Sequence, residues 1–272
     1  MKELFKRKQG GTMGIVEYKK NTALGIITMN RPDAMNAINA ELGNALLKAL
    51  IDAEYDKDVR AILLTGTGKA FSSGGDVKAM LASAEPKGKF FKELTVYLNG
   101  IINTILMMRK PIIAGMNGAA AGAGVSLALS CDLVTAARSS RFNLAYTKIG
   151  LTPDGGATAM LAHHVGPKRA MEYIMLNPDI TAEHALEIGL VNRVFDDSTF
   201  LEQTISFAQA LAGGPTVAFA YTKRTMNHAY PGPLERILEL EREGIAACGS
   251  TEDFKEASAA FAEKRTPIFK GS

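Results

Sequence analysis

The spacing of apolar positions along this chain separates strands from helices. Ile15 to Tyr18 and Leu24 to Asn30 are short apolar runs parted at Asn21, which predicts two strands joined by a turn. Arg31-Pro32 closes the second, because proline removes a backbone donor. From Asn39 the period lengthens: Leu42, Ala45, Leu46, Ala49, Leu50 and Ala53 recur on one helical face, with Asn39 as its cap. Ala61 to Thr65 is apolar without polar alternation, the pattern of a strand covered on both faces. Val77 to Ala84 and Phe90 to Met108 read as helices, with Ser83 to Lys89 expected to be a mobile gap. Strand, turn and helix recur from Ile112 to Ser130, and Leu133 to Ala136 is another strand. From Gly155 the pattern is mostly helical, interrupted by a short strand at Val191 to Val194. Gly213-Gly-Pro215 separates two helices, and Pro231-Gly-Pro233 precedes another with Glu235, Arg236, Glu239 and Arg242 on exposed faces. This alternation predicts an α/β fold with right-handed crossovers, followed by a helical C-terminal segment.

Composition narrows the classes. A chain of 272 residues can bury a substantial core in one or two domains. The net charge of +3 is mild and mixed along the chain, so no nucleic-acid partner is expected. A basic cluster, Lys6-Arg-Lys8, lacks helical periodicity and reads as a frayed or disordered end, with no apolar region following it as in a secretory signal. Pro111 to Ala137 is the one membrane candidate, but Asn117, its glycines and Asp132 break it into strand, turn, helix and strand, so no membrane role is expected. Cys131 and Cys248 are too few for a disulfide framework, and a reducing, cytoplasmic location is the simplest reading. His163, His164, His184 and His228 have no metal-ligand spacing, and no metal or separate cofactor is expected. Gly124-Val-Ser-Leu-Ala128 departs from a nucleophile elbow at its last residue.

Candidate chemistry lies in two glycine-rich turns, each following an apolar strand. Lys69-Ala-Phe-Ser-Ser-Gly-Gly-Asp76 follows Ala61–Thr65, and Asn117-Gly-Ala-Ala-Ala-Gly-Ala-Gly124 follows Ile112–Met116. Neither matches a nucleotide fingerprint. Free amides at two such helix starts can converge on one oxygen and form an oxyanion hole, which suggests chemistry at a carbonyl. Close packing of backbones is the alternative reading.

Around these turns the chain resembles the crotonase (enoyl-CoA hydratase/isomerase) superfamily. The likeness rests on Met29-Asn-Arg-Pro-Asp-Ala-Met-Asn-Ala37, Ala70-Phe-Ser-Ser-Gly-Gly-Asp76, Pro111 through Asp132, Phe142 through Gly156, and the tail from Phe254 to Lys270. The resemblance implies a spiral of ββα units over 13–212, a helical trimerisation segment over 213–272, and an N-terminal extension over 1–12 expected to be disordered. It also implies a homotrimer or a dimer of trimers and an acyl-CoA thioester substrate, with coenzyme A as part of that substrate. Gly75 and Ala123 fall where the family places its oxyanion-hole amides. Asp33, Ala34 and Met35, with Ser73, Gly74, Asp76 and Val77, match loops that contact the coenzyme; Asp76 also reads as a structural residue or helix cap. Lys264 and Phe269 fall where a neighbouring subunit's tail reaches the coenzyme, and a solvated helix lysine is the other reading of Lys264.

The acids discriminate the reaction. Family hydratases use two glutamates, and the matching positions here are Ser126 and Tyr146. A serine and a phenol do not readily supply the acid and base that adding water requires. Asp154, in Thr152-Pro-Asp-Gly-Gly156, falls where family isomerases place a single base, or else it caps the following helix. Tyr146 is expected to line the acyl pocket and orient substrate, with Met80, Leu81 and Leu151 as apolar lining. The stretch from Tyr146 to Gly156 also resembles the epoxyphenylacetyl-CoA isomerase branch. The expected activity is therefore isomerisation of an acyl-CoA, 3-enoyl to 2-enoyl or of the epoxyphenylacetyl type. Hydration without the usual glutamates, or acyl-CoA binding without turnover, are the alternatives.

Overall fold

The computed structural model describes residues 14–227 and 234–270. The extension at 1–12, His228 and the Pro231-Gly-Pro233 step lie outside the described residues, as does the side chain of Glu235. Strands β1 (Val16–Asn21) and β2 (Leu24–Met29) form the antiparallel hairpin. Helix α1 (Ala40–Tyr55) starts at Asn39, whose side chain accepts from Leu42 N at 2.9 Å. The chain then repeats one route: a long strand, a corner, a short strand and a helical stretch. Its first pass runs through β3 (Ala61–Gly66), β4 (Ala70–Ser72), α2 (Val77–Ala82) and α3 (Lys87–Met107). The second is β5 (Ile112–Met116), β6 (Ala119–Ala121) and α4 (Ala123–Ser130). The third is β7 (Leu133–Ala137), β8 (Arg141–Asn143), α5 (Ala157–Val165) and α6 (Pro167–Leu176). There follow β9 (Ile180–Thr181), α7 (Ala182–Glu187), β10 (Arg193–Phe195), α8 (Phe200–Ala212), α9 (Thr216–Asn227), α10 (Leu234–Cys248) and α11 (Glu252–Glu263).

The strands sort into two sheets, ordered β1-β2-β3-β5-β7-β10 and β4-β6-β8-β9. All pairs are parallel except β1–β2 and β8–β9. The repeated route of two strands and a helical stretch is the spiral of ββα units that the resemblance implies. Both faces of β3 are covered: Ile62 and Leu64 enter the larger core, while Ala61 and Leu63 pack with Ile205, Ala208 and Ala212 of α8. Several boundaries differ from the sequence expectation. Helix α2 ends at Ala82 and α3 already begins at Lys87, whose ammonium donates to the carbonyls of Met80 and Ser83 across the step between them. The last strand of the first sheet lies at 193–195 rather than 191–194, because Asn192 spends its side-chain oxygen on Val134 N. Short strands also stand inside both glycine turns, where a direct passage from strand to helix was expected.

Side-chain amides build the corner between the sheets. Asn117 accepts from Gly66 N and donates to the carbonyls of Gly68 and Ala70, and Asn36 donates to those of Thr67 and Ala70. They satisfy backbone groups that no strand partner reaches there. The C-terminal helices fold back over α3. A Cβ at Gly249 would stand 2.3 Å from the Phe91 ring, so only glycine admits this approach. Phe91 meets Phe254 edge-on, with centroids 5.4 Å apart, a geometry that adds about 1 kcal/mol to the area buried. Among the described residues no helix is long and apolar enough to cross a membrane.

Candidate active site

The first glycine turn is clamped against the loop that follows β2. Ser73 N donates to Met35 O, Ile38 N to Gly74 O, and Asp76 N to Ile38 O, at 2.7 to 3.1 Å. This ladder passes over the amide of Gly75. Gly74 has φ +83°, and a Cβ there would lie 2.6 Å from Ala121 O and 3.1 Å from Ala123 N. Only glycine fits, and its fit lets the two turns touch. Asp76 caps α2 by accepting from Ala79 N at 3.1 Å and is held by Arg31 at 3.0 Å.

In the second turn Ala123 is the first residue of α4, so its N–H lies outside the helical ladder. Among the described residues neither the Gly75 nor the Ala123 amide has a protein acceptor. Both residues line one cavity of about 390 Å³. Its other walls are Val77 and Met80 from α2, Phe91, Leu94, Thr95 and Leu98 from α3, and Ile245 from α10. The lining is mostly apolar, with Lys148 and Arg265 as its cations, and in such a setting two free amides stabilise a charge developing beside them more than they would in water.

Asp154 enters the same cavity. It is buried, and its Oδ1 accepts from the Tyr146 hydroxyl at 2.6 Å. Ser126 Oγ lies 3.1 Å from Tyr146 Oη and donates to the Asp154 carbonyl at 2.9 Å. Burial, with some help from the charge of Glu241, pushes the Asp154 carboxyl up to about 7 against the opposing hydrogen bond from Tyr146. Burial and then the neighbouring Asp154 also push the Tyr146 phenol well above its ordinary range. Asp154 thus stands near the point of half-ionisation at neutral pH, where a group gives and takes protons with equal ease.

Asp154 is not the cap of the helix that follows. Helix α5 begins at Ala157 rather than Gly155, after two glycines at positive φ; Ala157 N donates to the Asp154 carbonyl, and the amides on either side of it are taken from outside. Glu241 of α10 accepts from Gly156 N at 2.5 Å, from Thr158 N at 3.0 Å and from the Thr158 hydroxyl at 2.5 Å.

The structure gathers Ser73, Gly75, Val77, Ala123, Tyr146 and Asp154 at the cavity, with Met80 and Leu151 in its apolar wall. Gly74 and Asp76 stand immediately behind them. Asp33, Ala34 and Met35 lie on the loop beside Ser73, where Met35 is 55% exposed. Leu81 points away from the cavity, because α2 turns its Val77 and Met80 face inward. Lys264 and Phe269 lie outside it: Lys264 ends α11 in a left-handed conformation, and the tail residues that reach the cavity are Ala257, Phe261, Arg265 and Pro267. Sequence reasoning missed Glu241 and the α3 wall. A signal for Glu241 was present, since Leu238, Glu241 and Ile245 share one helical face and Glu241 is the charge among apolar residues. Among the described residues no group of His, Cys, Asp or Glu is gathered to hold a metal ion.

Known proteins of similar sequence and fold give this arrangement a context. Residues 19–272 match the family model described as enoyl-CoA hydratase/isomerase. The chain is 36% identical to a 1,2-epoxyphenylacetyl-CoA isomerase of Escherichia coli, over 90% of this chain and 94% of that protein. It is 38% identical to a probable enoyl-CoA hydratase of Rhodobacter capsulatus, over 94% and 98%. A crystal structure of an enoyl-CoA hydratase from Mycobacterium avium subsp. paratuberculosis superposes with a TM-score of 0.86 at 34% identity, covering 95% of this chain and 100% of that one.

Proposed function

This chain belongs to the enoyl-CoA hydratase/isomerase family, and we propose that within it the protein is an acyl-CoA isomerase with Asp154 as its single base. The observation that carries this reading is the Asp154 carboxyl itself: buried in the cavity, held near neutral proton affinity, and bonded to a phenol where a hydratase has a glutamate. Glu241, the other buried carboxylate nearby, is occupied by backbone amides.

The thioester carbonyl oxygen accepts from the amides of Gly75 and Ala123. Asp154 removes a proton from the α carbon of a 3-enoyl-CoA, and the C–H electron pair delocalises through the enolate onto that oxygen. Each amide stabilises the developing charge by about 3 kcal/mol. Asp154, now protonated, returns its proton to the far end of the dienolate, giving the conjugated 2-enoyl thioester. Water is neither added nor lost. Tyr146 serves both protonation states: it donates to the carboxylate, and when Asp154 is protonated it accepts from the acid and turns its own O–H to Ser126.

An epoxyphenylacetyl-CoA-type rearrangement is a second reading, favoured by the Phe91 and Phe261 walls and by the name of the Escherichia coli relative. Both readings use the same base and the same oxyanion amides.

Incubation with 3-hexenoyl-CoA in deuterated water tests the proposal. The expected product absorbs as a conjugated 2-enoyl thioester, has no added water, and carries less than one deuterium per turnover because one base moves the same proton. A 3-hydroxyacyl product forming at a comparable rate would replace isomerisation with hydration. Binding without turnover of either aliphatic or aromatic substrates would leave an acyl-CoA-binding protein.

A further inference from the structure

Two carboxylates compete for one helix start in this fold. Asp154 lies two residues before Gly156, the capping position of α5, and an aspartate side chain can fold back to accept from the amide two residues on. Glu241, reaching in from α10 across a long sequence separation, takes that amide and the amide of Thr158. It is 6% exposed, and its oxygens meet three donors, two amides and the Thr158 hydroxyl. These donors satisfy a carboxylate, which only accepts.

We propose that Glu241 is a positioning residue: by occupying the N-terminus of α5 it keeps the Asp154 side chain from folding back as the helix cap and leaves it facing the cavity and Tyr146. The inference rests on the reading of Asp154 as the base. A capping Asp154 would be held by backbone N–H groups and the positive end of the helix, and both favour its ionised form and weaken it as a base. Glu241 removes those donors and adds a negative charge nearby, which acts in the same direction. The ionisable groups around Asp154 are Tyr146 from the loop before it and Glu241 from α10, with Lys148 and Arg265 on the wall of the same cavity. Helix α10 also places Ile245 in that wall and Gly244 against Thr152, so the element that carries Glu241 is packed against the base's own loop.

The test reads Asp154 directly. The protein is labelled with carboxyl-¹³C aspartate, the Asp154 signal is assigned by its loss in Asp154→Asn, and its titration is followed by NMR without substrate. In Glu241→Gln the midpoint is expected to fall by about one pH unit or more. The acid limb of kcat/KM for 3-hexenoyl-CoA should move with it, and kcat should fall more than KM changes. Glu241→Asp keeps the charge but cannot span both amides, and its midpoint should fall by less. If Glu241→Gln does not fold, that second shift carries the test. A midpoint unmoved in the folded variant, even with a lower melting temperature, would overturn the proposal and leave Glu241 a purely structural cap. The assignment of Asp154 as the base fails separately, if Asp154→Asn keeps full turnover whatever Glu241 does to the titration.

Discussion

The phenolic oxygen of Tyr146 stands 2.6 Å from Oδ1 of Asp154, and both groups are buried. Removing that O–H has a definite sign. The bond favours the carboxylate, so Tyr146→Phe raises the proton affinity of Asp154 above its value of about 7. A hydrogen bond to a charged group contributes ~1.5 kcal/mol, equivalent to about one pH unit. The acid limb of kcat/KM should therefore move up by about that amount, with activity at pH 7 several-fold lower and most of it regained at pH 9. An acid limb that stays in place would mean that Tyr146 does not bond the ionised base.

Asp154 should also cost the fold stability. Its carboxyl lies near 3.8 when unfolded and about 7 when folded, so the folded state prefers it neutral. The favourable contribution is complete below pH 4 and is lost as pH rises through 7. Over that window the loss is on the order of 4 kcal/mol. Asp154→Asn, neutral at every pH, should unfold at higher urea than the wild type at pH 8 and at about the same urea at pH 4. The same variant should lose 10²-fold or more in turnover while keeping thioester binding. Equal stability at pH 8 would show that Asp154 is well solvated in the folded state.

What the sequence disclosed and what it hid follow from chain distance. Asn39 as a cap, the fully covered strand at Ala61 and the amphipathic face through Leu42 and Leu50 are local patterns, and each was legible. Strands β4 and β6 were not. They are three residues each and mostly alanine and serine, too short for alternation and poor in β-branched side chains, and they exist because the spiral lays one beside the other. The pairing of Glu241 with Gly156 was hidden for the same reason, since nothing near either residue points to the other. Ser126, Tyr146 and Asp154 were legible as a group through family resemblance, whereas their contacts needed the fold.

Lys223 and Asp132 are paired at 2.9 Å, with Asp132 also accepting from Ile112 N, and the pair ties α9 to the first sheet. Both side chains are largely withdrawn from water, 6% exposed for Lys223 and 23% for Asp132, and burial pushes the Asp132 carboxyl up. Deleting one charge should still be asymmetric. Asp132→Asn leaves a buried ammonium and should cost ~2–3 kcal/mol, while Lys223→Met leaves a carboxyl that can neutralise itself by taking up a proton, so its cost should be smaller and should shrink as pH falls. Urea unfolding of both variants measures this, and the reverse order would place the buried charge on the wrong partner.

The oxyanion amides can be tested even though backbone donors resist ordinary mutation. Ala123 opens α4, and the first position of a helix is where proline is best tolerated, because its missing N–H is unused by the helix. Ala123→Pro thus deletes one proposed donor while sparing the ladder that follows. The preceding residue is a glycine at φ +50°, which eases the steric demand that proline places on its neighbour. If the Ala123 amide holds the enolate oxygen, kcat should fall by about 10²–10³. The circular dichroism spectrum should stay that of the wild type. Binding of the unreactive saturated thioester should weaken far less, because a ground-state carbonyl draws less on the donor than an oxyanion does. Equal losses in binding and turnover would assign Ala123 to holding the substrate, and unchanged turnover would remove its amide from the reaction.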